Sequence, residues 1–545
     1  MAKPSSLPAR RPAGPINNTH RPMAPTLPDT RSHEGAPAFS LDVRSELFLL
    51  AVTNMVGEAT FYESADARDG RFRRLIAQAT TEDPAWTAAF LGWLRGPGLM
   101  RSASIVGACE YIKAGGPHGR AVLDSVCQRP DEPGEALGYW LNTYGRALPM
   151  PVKRGLADAA RRLYGERAVL KYDTPRHPVR FADVLELAHP RPSAMWQRQL
   201  FGHIIDRRHG RPVELGALRA AGLDVLHSTY TLDAIEPGRR RGILRGEEDD
   251  ALTQAVADAG LTWERLSGWL PGGMDAEAWS LIVPRMGYMA LLRNLRNLEQ
   301  AKVSPDVLDA VARRLADPEQ VARSKQFPFR FWTAYRELDA AGYTRFLHPL
   351  EQAAELACAN IPELTGRTLV MVDTSGSMEA PISGRSSVPR VEVGGFFGAA
   401  LAHRGDVVLW QYATHAAPVK VMGSIVATAR ELRRLMGSVG HGTNTWPSVA
   451  QALATVGKVD RVIVLSDVQD HPQGRGDMWS HRPAASAPEG VRVYAWNLAG
   501  YASVNLDTAQ AGHYMLGGFS DAAFRIMGLL ERGQDAGWPW EITGS

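Results

Sequence analysis

The stretch TLVMVDTSGSMEA, residues 368–380, decides how the second part of this chain folds. An apolar, partly β-branched run ends at one acid, Asp373, and such runs are typical of buried strands. The next four positions carry small or hydroxyl side chains: Thr374, Ser375, Gly376 and Ser377. A carboxylate followed by hydroxyl groups at a strand end indicates a site for a phosphate, for the substrate of a nucleophile, or for a metal ion.

The residue types around Asp373 weigh against the first two chemistries. A phosphate-binding loop needs several glycines and a lysine before the next helix, and neither is present. An aspartic protease needs a second copy of its acid motif, and none is present. A serine hydrolase needs Gly-x-Ser-x-Gly with a downstream histidine and acid, and Ser375 has only one of the two glycines. A hydrolase that used Asp373 and Asp467 as its carboxylates would lack a nearby base.

A divalent cation makes further demands that this chain meets. Mg²⁺ takes about six oxygen ligands, so other strand ends should supply oxygen atoms. Thr443 follows a glycine in SVGHGTNTWP, and a second strand, VIVLSD, ends at Asp467. The sequence therefore predicts a divalent cation, with Mg²⁺ expected, held by Asp373, Ser375, Ser377, Thr443 and Asp467. The alternative is an inert structural ion site or an empty one.

Strand and helix patterns alternate around these residues. RTLVMVD, DVVLWQYAT, DRVIVLSD and VRVYAWNLA are short strand-like runs, separated by helical segments such as VEVGGFFGAALAHR and TARELRRLMG. This alternation predicts an α/β fold with a doubly wound, Rossmann-like parallel sheet, whose ligands bind at the carboxyl ends of the strands.

Asp-x-Ser-x-Ser followed by a distant threonine and a distant aspartate resembles the metal-ion-dependent adhesion site of von Willebrand factor type A domains. The resemblance covers residues 366–545, and we place this domain at 363–545. It implies a cation that binds an acidic residue of a protein partner and does not drive turnover. We therefore expect no enzymatic activity.

Two further regions precede this domain. Residues 1–38 are rich in proline and arginine without apolar periodicity, which predicts a disordered basic tail. Residues 39–362 carry one helical apolar stripe after another, which predicts an all-α array of antiparallel helix pairs, arranged as a solenoid.

The helical region resembles the TROVE module of the Ro autoantigen family and its bacterial relatives. The resemblance is carried by FLLAVTNMVGEATFYE, FLGWLRGPGLMRSASI, LPMPVKRGLADAARRLYG, VLKYDTPRH, YMALLRNLRNLE and FPFRFWTAYREL. It implies a closed ring of HEAT-like helical hairpins with a positively charged central hole. It also implies binding of single-stranded 3′ ends of misfolded noncoding RNA in the hole and of Y RNA on the outer surface. Bacterial relatives imply cooperation with a 3′ exoribonuclease or with RNA-repair enzymes.

Charge is concentrated in one part of the helical region. Residues 146–180 hold nine Arg and Lys against three acids, whereas residues 366–545 hold fifteen of each sign. The candidate RNA-binding residues are Lys153, Arg154, Arg161, Arg162, Lys171, Arg176 and Arg180, with Tyr164, Tyr172 and Phe181 interleaved. Cations and aromatic rings together suit unpaired RNA, because phosphates take charge and splayed bases stack. The alternative is a solvated, arginine-rich helix face.

The resemblance places Lys171 and Arg176 in the segment that contacts RNA from outside. Phe181 stands where the family has a histidine, so Y-like RNA is less well supported than RNA in general. Leu291, Leu295 and Leu298 predict the packed stripe of YMALLRNLRNLE. Arg293 and Arg296 are expected to pair with acids on a neighbouring helix. The stretch 238–246, GRRRGILRG, predicts a flexible basic loop, either a further RNA contact or a solvated turn.

Bulk features set the remaining expectations. The chain of 545 residues has a net charge of +3, no apolar run long enough for a bilayer and no secretory signal, so we expect a cytoplasmic monomer without membrane contact. Cys109, Cys127 and Cys358 are widely spaced and are expected to be small buried hydrophobes. The leading hypothesis is a noncatalytic RNA-binding scaffold in noncoding-RNA quality control. The alternative is a metal-dependent protein-interaction adaptor without RNA.

Overall fold

The structure of the chain is a computed structural model, which describes residues 28–53, 57–247, 258–326, 328–358, 363–382, 388–471, 491–510 and 512–519, with isolated positions near these ranges. A helical region comes first and an α/β region follows. Residues 1–27 of the predicted tail lie outside the described residues. No described helix combines the length and the apolar character that crossing a membrane requires.

The helical region begins at Val43 and continues to Ala357. Its described helices are α1 Val43–Thr53, α2 Ala65–Glu82, α3 Pro84–Arg95, α4 Arg101–Lys113, α5 Gly119–Val126, α6 Glu132–Tyr144, α7 Met150–Leu163, α8 Glu166–Tyr172, α9 Phe181–Ala188, α10 Met195–Arg208, α11 Leu215–Ala220, α12 Asp224–Asp233, α13 Arg240–Leu244, α14 Trp263–Trp269, α15 Ala276–Ile282, α16 Tyr288–Gln300, α17 Pro305–Leu315, α18 Pro318–Ser324, α19 Phe329–Ala340 and α20 Leu347–Ala357. Short 3₁₀ turns occupy Pro237–Arg239 and Val283–Arg285.

Local sequence signals set several of these helix ends. Ser64 accepts a hydrogen bond from the backbone of Ala67 at the start of α2, and Asp83 does the same for α3, whose first residue is Pro84. Side-chain oxygens at this position satisfy backbone N–H groups that have no partner inside the helix. Proline is favourable at the first helical position, because its missing N–H group would be unpaired there in any case.

The α/β region is built on one six-stranded sheet. Its segments are β3 Leu364–Asp373, a 3₁₀ turn Gly376–Glu379, α21 Arg390–Ala402, β4 Gly405–Tyr412, β5 Ala416–Pro418, α22 Ile425–Arg434, α23 Thr445–Val456, β6 Arg461–Ser466, β7 Arg492–Asn497, β8 Ser503–Val504 and β9 His513–Gly517. The strand order is β5-β4-β3-β6-β7-β9, and all neighbours are parallel except the edge strand β5. The predicted succession of a helical region and a mostly parallel α/β sheet is confirmed.

α21 packs closely against the central strands of the sheet. Every residue of β6 is buried, as expected for a central parallel strand. Gly398 on α21 lies so close to β3 that an added Cβ would come 2.6 Å from Val372 Cγ2. This contact fixes the helix against the strand that ends at Asp373. Cys109, Cys127 and Cys358 are buried, as predicted.

The N-terminal segment forms a hairpin instead of a tail. β1, Thr30–Arg31, pairs with β2, Pro37–Ser40, and β2 also pairs with β8 through Phe39 and Val504. The prediction of disorder up to residue 38 is therefore wrong for residues 30–38. The segment finds its backbone partners far along the chain, for example Ser32 Oγ with the Asp470 carbonyl 438 positions away. Apolar periodicity carries no information about such pairings.

Candidate functional site

The predicted cation ligands lie at the carboxyl edge of the sheet. Val372 and Leu465 pair across β3 and β6, so Asp373 and Asp467 emerge from neighbouring strands. Asp373 accepts hydrogen bonds from the Ser375 backbone at 2.9 Å and from the Ser466 hydroxyl at 2.5 Å. Both carboxylates and Ser375 are fully buried.

Two backbone hydrogen bonds tie the loop of Thr443 to the other two strand ends. The N–H of Gly376 donates to the carbonyl of His441 at 3.0 Å, and the N–H of His471 donates to the carbonyl of Thr443 at 2.9 Å. The hydroxyls of Ser375 and Ser377 are 3.4 Å apart. The structure therefore brings the predicted loops together at one edge of the sheet.

The electrostatics of this edge fit a cation. Burial, followed by the charge of Asp373, raises the pKa of Asp467 to about 7. Burial also raises the pKa of Asp373. Among the described atoms, Asp467 Oδ2 is buried without a hydrogen-bond partner. Two neighbouring carboxylates with an unpaired oxygen are costly to bury unless a positive charge compensates them.

The donor set also limits which ion would suit the site. Within the described parts of the chain, no three His, Cys, Asp or Glu side chains come together as metal ligands. A cation would therefore depend on two carboxylates supplemented by hydroxyl oxygens and water. This all-oxygen composition suits a hard ion such as Mg²⁺ better than Zn²⁺.

Glu34 of the N-terminal hairpin and Tyr62, which follows α1, also face this edge, and no sequence pattern indicates either residue. The hydroxyl of Tyr62 donates to Glu34 Oε1 at 2.6 Å. Burial, the hydrogen bond to Glu34 and the charge of Asp467 raise the pKa of Tyr62, and a hydrogen bond with Ser377 opposes them. Glu34 Oε2 lies 3.4 Å from His471 Nδ1. Neither residue belongs to a motif, because only tertiary folding brings them to the site.

The candidate RNA-binding cations separate into two groups. Arg154 and Arg176 are exposed and Lys153 is half-buried, and these three make no side-chain hydrogen bond or ion pair within the described part of the chain. Lys171 lies over the ring of Tyr172 at 5.1 Å, which Arg129 approaches at 5.4 Å.

The second group of candidates has partners inside the fold. Arg162 donates to the carboxylate of Asp124 and to the carbonyl of Cys127, each at 2.7 Å. Arg180 forms a two-pronged pair with Asp173 at 2.9 and 3.1 Å. Arg161 lies 3.8 Å from Asp158, a carboxylate that Arg120 also contacts. Arg162 and Arg180 therefore help to hold helices together, and less free charge remains than the sequence suggests.

The interleaved aromatic rings are mostly inaccessible. Tyr164 and Phe181 stack on each other with centroids 4.0 Å apart and both are buried. The prediction that they present faces to RNA bases is therefore wrong. Tyr172 remains half-buried beside its two cations.

A group of unpaired arginines lies where ion pairs were predicted. Leu291, Leu295 and Leu298 are buried on α16, as expected. Arg293 and Arg296 are exposed, however, and form no ion pair with any residue that the structure describes, so their predicted pairing with acids is wrong. Burial and the charge of Arg293 lower the pKa of Arg330 on α19. A like-charged neighbour of this kind is unfavourable unless an anion compensates it.

The stretch 238–246 forms regular structure, and three of its arginines have partners within the fold. Arg241 pairs with Asp275, Arg245 pairs with Glu277 at 3.0 Å, and Arg240 donates to the carbonyl of Trp269 at 2.7 Å. Part of the stretch forms α13. The predicted flexible basic loop is therefore wrong.

Comparisons with known proteins agree with this architecture. The TROVE domain family matches residues 258–377. Telomerase protein component 1 of Rattus norvegicus is 38% identical over 80 residues, which are 14% of this chain and 3% of the relative. The Mus musculus protein of the same name is 36% identical over 80 residues, with the same coverage. The chain thus spans only a small part of these relatives.

The similarity to a solved structure extends over most of the chain. The crystal structure of the Ro (RSR) protein of Deinococcus radiodurans superposes with a TM-score of 0.60 at 19% identity, covering 90% of this chain and 100% of the other. The chain therefore has the fold of that Ro protein. The resemblance to TROVE-containing Ro proteins is confirmed.

Proposed function

We propose that this chain is a noncatalytic RNA-binding scaffold of the Ro type. It binds single-stranded 3′ ends of misfolded noncoding RNA, with Y-like RNA as a further ligand, and serves RNA quality control in the cytoplasm. The observation that carries the proposal is the set of unpaired cations Lys153, Arg154 and Arg176 on a fold shared with a Ro protein.

Selection of RNA would come from shape. The first helices contact the α/β region through Arg68 and Arg71, which donate to the carbonyls of Ala499 and Gly500. α19 contacts the same region through Arg336 and Glu392. A helical region held at both ends is suited to form a closed ring, and an aperture one strand wide would admit a free end and reject a duplex.

The α/β region is proposed to be a von Willebrand factor type A domain that holds Mg²⁺ with Asp373, Ser375, Ser377, Thr443 and Asp467. The fully buried carboxylates and the unpaired oxygen of Asp467 support this assignment. When bound, the cation would offer an open coordination position to an acidic residue of a protein partner. An exoribonuclease or an RNA-repair enzyme fits this role in RNA quality control.

The test compares two RNA hairpins that differ only in a single-stranded 3′ tail. Fluorescence anisotropy at increasing KCl should show tighter binding of the tailed RNA and a log-log salt dependence of roughly 0.7 per neutralised phosphate. Equal affinity for tailed and blunt RNA would contradict selection of a free end.

The second candidate function is a cation-dependent protein adaptor without RNA. The geometry of the cation site favours it, because that site needs no nucleic acid to be complete. Absence of binding to either RNA, together with Mg²⁺-dependent retention of an acidic peptide, would replace the RNA proposal with this one.

A further inference from the structure

The N-terminal hairpin, residues 30–40, is docked beside the candidate cation site. At its turn, the Ser32 hydroxyl donates to the Asp470 carbonyl at 2.7 Å, and the His33 N–H donates to Gln469 Oε1 at 2.8 Å. Both partners belong to the loop that directly follows Asp467. β2 continues the attachment by pairing with β8.

The tip of this hairpin carries a carboxylate, Glu34. Its Oε1 accepts the Tyr62 hydroxyl at 2.6 Å, and its Oε2 lies 3.4 Å from His471 Nδ1. The His471 backbone in turn donates to the Thr443 carbonyl. Glu34 therefore lies between Tyr62, which hydrogen-bonds with Ser377, and His471, whose backbone contacts Thr443.

Tyr62 is fixed in this position by its surroundings. The ring of His33 stacks on it with centroids 5.1 Å apart and an interplanar angle of 1°, and Tyr501 meets it edge-on at 5.5 Å. A tyrosine packed in this way has little rotational freedom, so its hydroxyl is preorganised between Glu34 and Ser377.

We propose that Glu34 is an internal acidic ligand at the mouth of the cation site, and that the hairpin must move before an outside carboxylate can reach the cation. This inference depends on the cation site proposed above. It assigns the hairpin a competitive role: the chain supplies in cis the chemical group that an acidic partner would supply in trans.

The partial exposure and the charge of Glu34 support a ligand role better than a role in packing alone. The Glu34 side chain keeps 27% of its accessible surface and faces His471, which is more accessible at 41%. A carboxylate near the bound cation adds to the negative potential that retains it, and outer partners of metal ligands typically change metal affinity by about 10–100-fold.

The experiment uses the full chain with Mn²⁺ as the metal and acetate as the carboxylate probe. The water-proton relaxation rate reports water molecules on the bound Mn²⁺, and acetate that displaces them lowers the rate. Glu34→Gln should need roughly tenfold less acetate for half-displacement than the wild type, and Tyr62→Phe should shift the midpoint in the same direction. Glu319→Gln, an equal charge change on an exposed residue of α18, is the control and should behave as the wild type.

Two results would overturn the inference, and each would remove a different part of it. Equal acetate midpoints for the wild type and Glu34→Gln would remove the role of the hairpin and leave the cation site standing. Failure of the wild type to bind Mn²⁺ at all would remove both the cation site and the internal ligand.

Discussion

Two carboxylates decide the behaviour of the candidate cation site. Asp373 has its oxygens satisfied by Ser375 and Ser466, whereas Asp467 keeps one oxygen without a partner among the described atoms. Without a compensating charge, the ionised form of Asp467 is destabilised by burial and by Asp373. A cation would remove this penalty, so we expect Asp467 to couple stability to metal binding.

Replacement of Asp467 by Asn should separate stability from cation binding. We expect Asp467→Asn to unfold at a higher temperature than the wild type when cations are removed, because a buried like charge is lost. Mg²⁺ at a hundredfold excess over its Kd should stabilise the wild type by about 2.7 kcal/mol and leave the variant unchanged. Differential scanning calorimetry with EDTA and with Mg²⁺ measures both effects.

The control is Asp406→Asn, which neutralises an exposed carboxylate of β4. It should keep the full response to Mg²⁺. A persistent Mg²⁺ shift in Asp467→Asn would mean that Asp467 is not a ligand.

Cation affinity should depend on pH around neutrality. The pKa of Asp467 in the cation-free protein is about 7, so a proton competes with the cation below that value. The raised pKa means that the folded, cation-free protein holds this proton near neutral pH, and the cation must displace it, so lowering the pH weakens cation binding. We expect Mg²⁺ affinity at pH 6 to be roughly fivefold lower than at pH 7, because the ionised fraction of a group with a pKa of about 7 falls from about a half to about a tenth, with little further gain above pH 8. Isothermal titration calorimetry at these three pH values tests this, and a flat profile would contradict it.

Helix α7 has a buried apolar side and an exposed side that carries basic residues. Val152, Leu156 and Ala159 are buried on one side, and Arg154 and Arg161 are exposed on the other. Arg162 reaches across to α5, where it contacts Asp124 and Cys127. Reversal of charge on this helix should therefore have different effects at different positions.

Lys153→Glu combined with Arg154→Glu should weaken RNA binding without changing stability. Both side chains make no described side-chain hydrogen bond or ion pair, so only phosphate contacts would be lost. The log-log salt dependence for a tailed RNA should fall by about 1.4, which is two phosphates at roughly 0.7 each. Filter binding between low and moderate KCl gives this slope.

The matched control reverses two exposed lysines of the α/β region, Lys420→Glu with Lys458→Glu. It changes the net charge equally and should leave the slope near that of the wild type. Equal losses in both double variants would indicate a general electrostatic effect and no site on α7.

The features that local sequence determines could be predicted from the sequence. Periodicity located the helices and strands, and the hydroxyl-rich strand ends located the edge where Asp373 and Asp467 meet, because parallel strands must end at a common edge. The ion-pair partners of individual side chains could not be predicted from the sequence. Arg162 and Arg180 looked the same as Arg154 and Arg176 in sequence, and only tertiary packing assigns carboxylates to the first pair. The hairpin at residues 30–40 and the position of Tyr62 depend on contacts with residues after 466, which no local pattern contains.

Among the described residues, two polar junctions connect the helical region to the α/β region. At one, Arg68 and Arg71 share Glu63 and donate to the carbonyls of Ala499 and Gly500. At the other, the buried Glu392 of α21 accepts from Trp332 and Arg336 of α19. Arg433 of α22 also pairs with Glu392. These junctions attach the first helices and α19 to the α/β region, so the proposed ring would depend on them to stay closed.

Removal of the Glu392 carboxylate should open the second junction. Glu392→Ala leaves the buried Trp332 N–H without its acceptor and the partly exposed Arg336 and Arg433 without their shared acid, and a buried donor left unpaired typically costs about 1–3 kcal/mol. Urea unfolding followed by circular dichroism should show a loss of this size, and tailed RNA should bind more weakly because the aperture is no longer held. Glu319→Ala removes an acid from the exposed Glu319–Arg323 pair, where the loss should stay below about 1 kcal/mol. If Glu392→Ala were as stable as Glu319→Ala, or bound tailed RNA as the wild type does, closure through this junction would not be what positions the RNA.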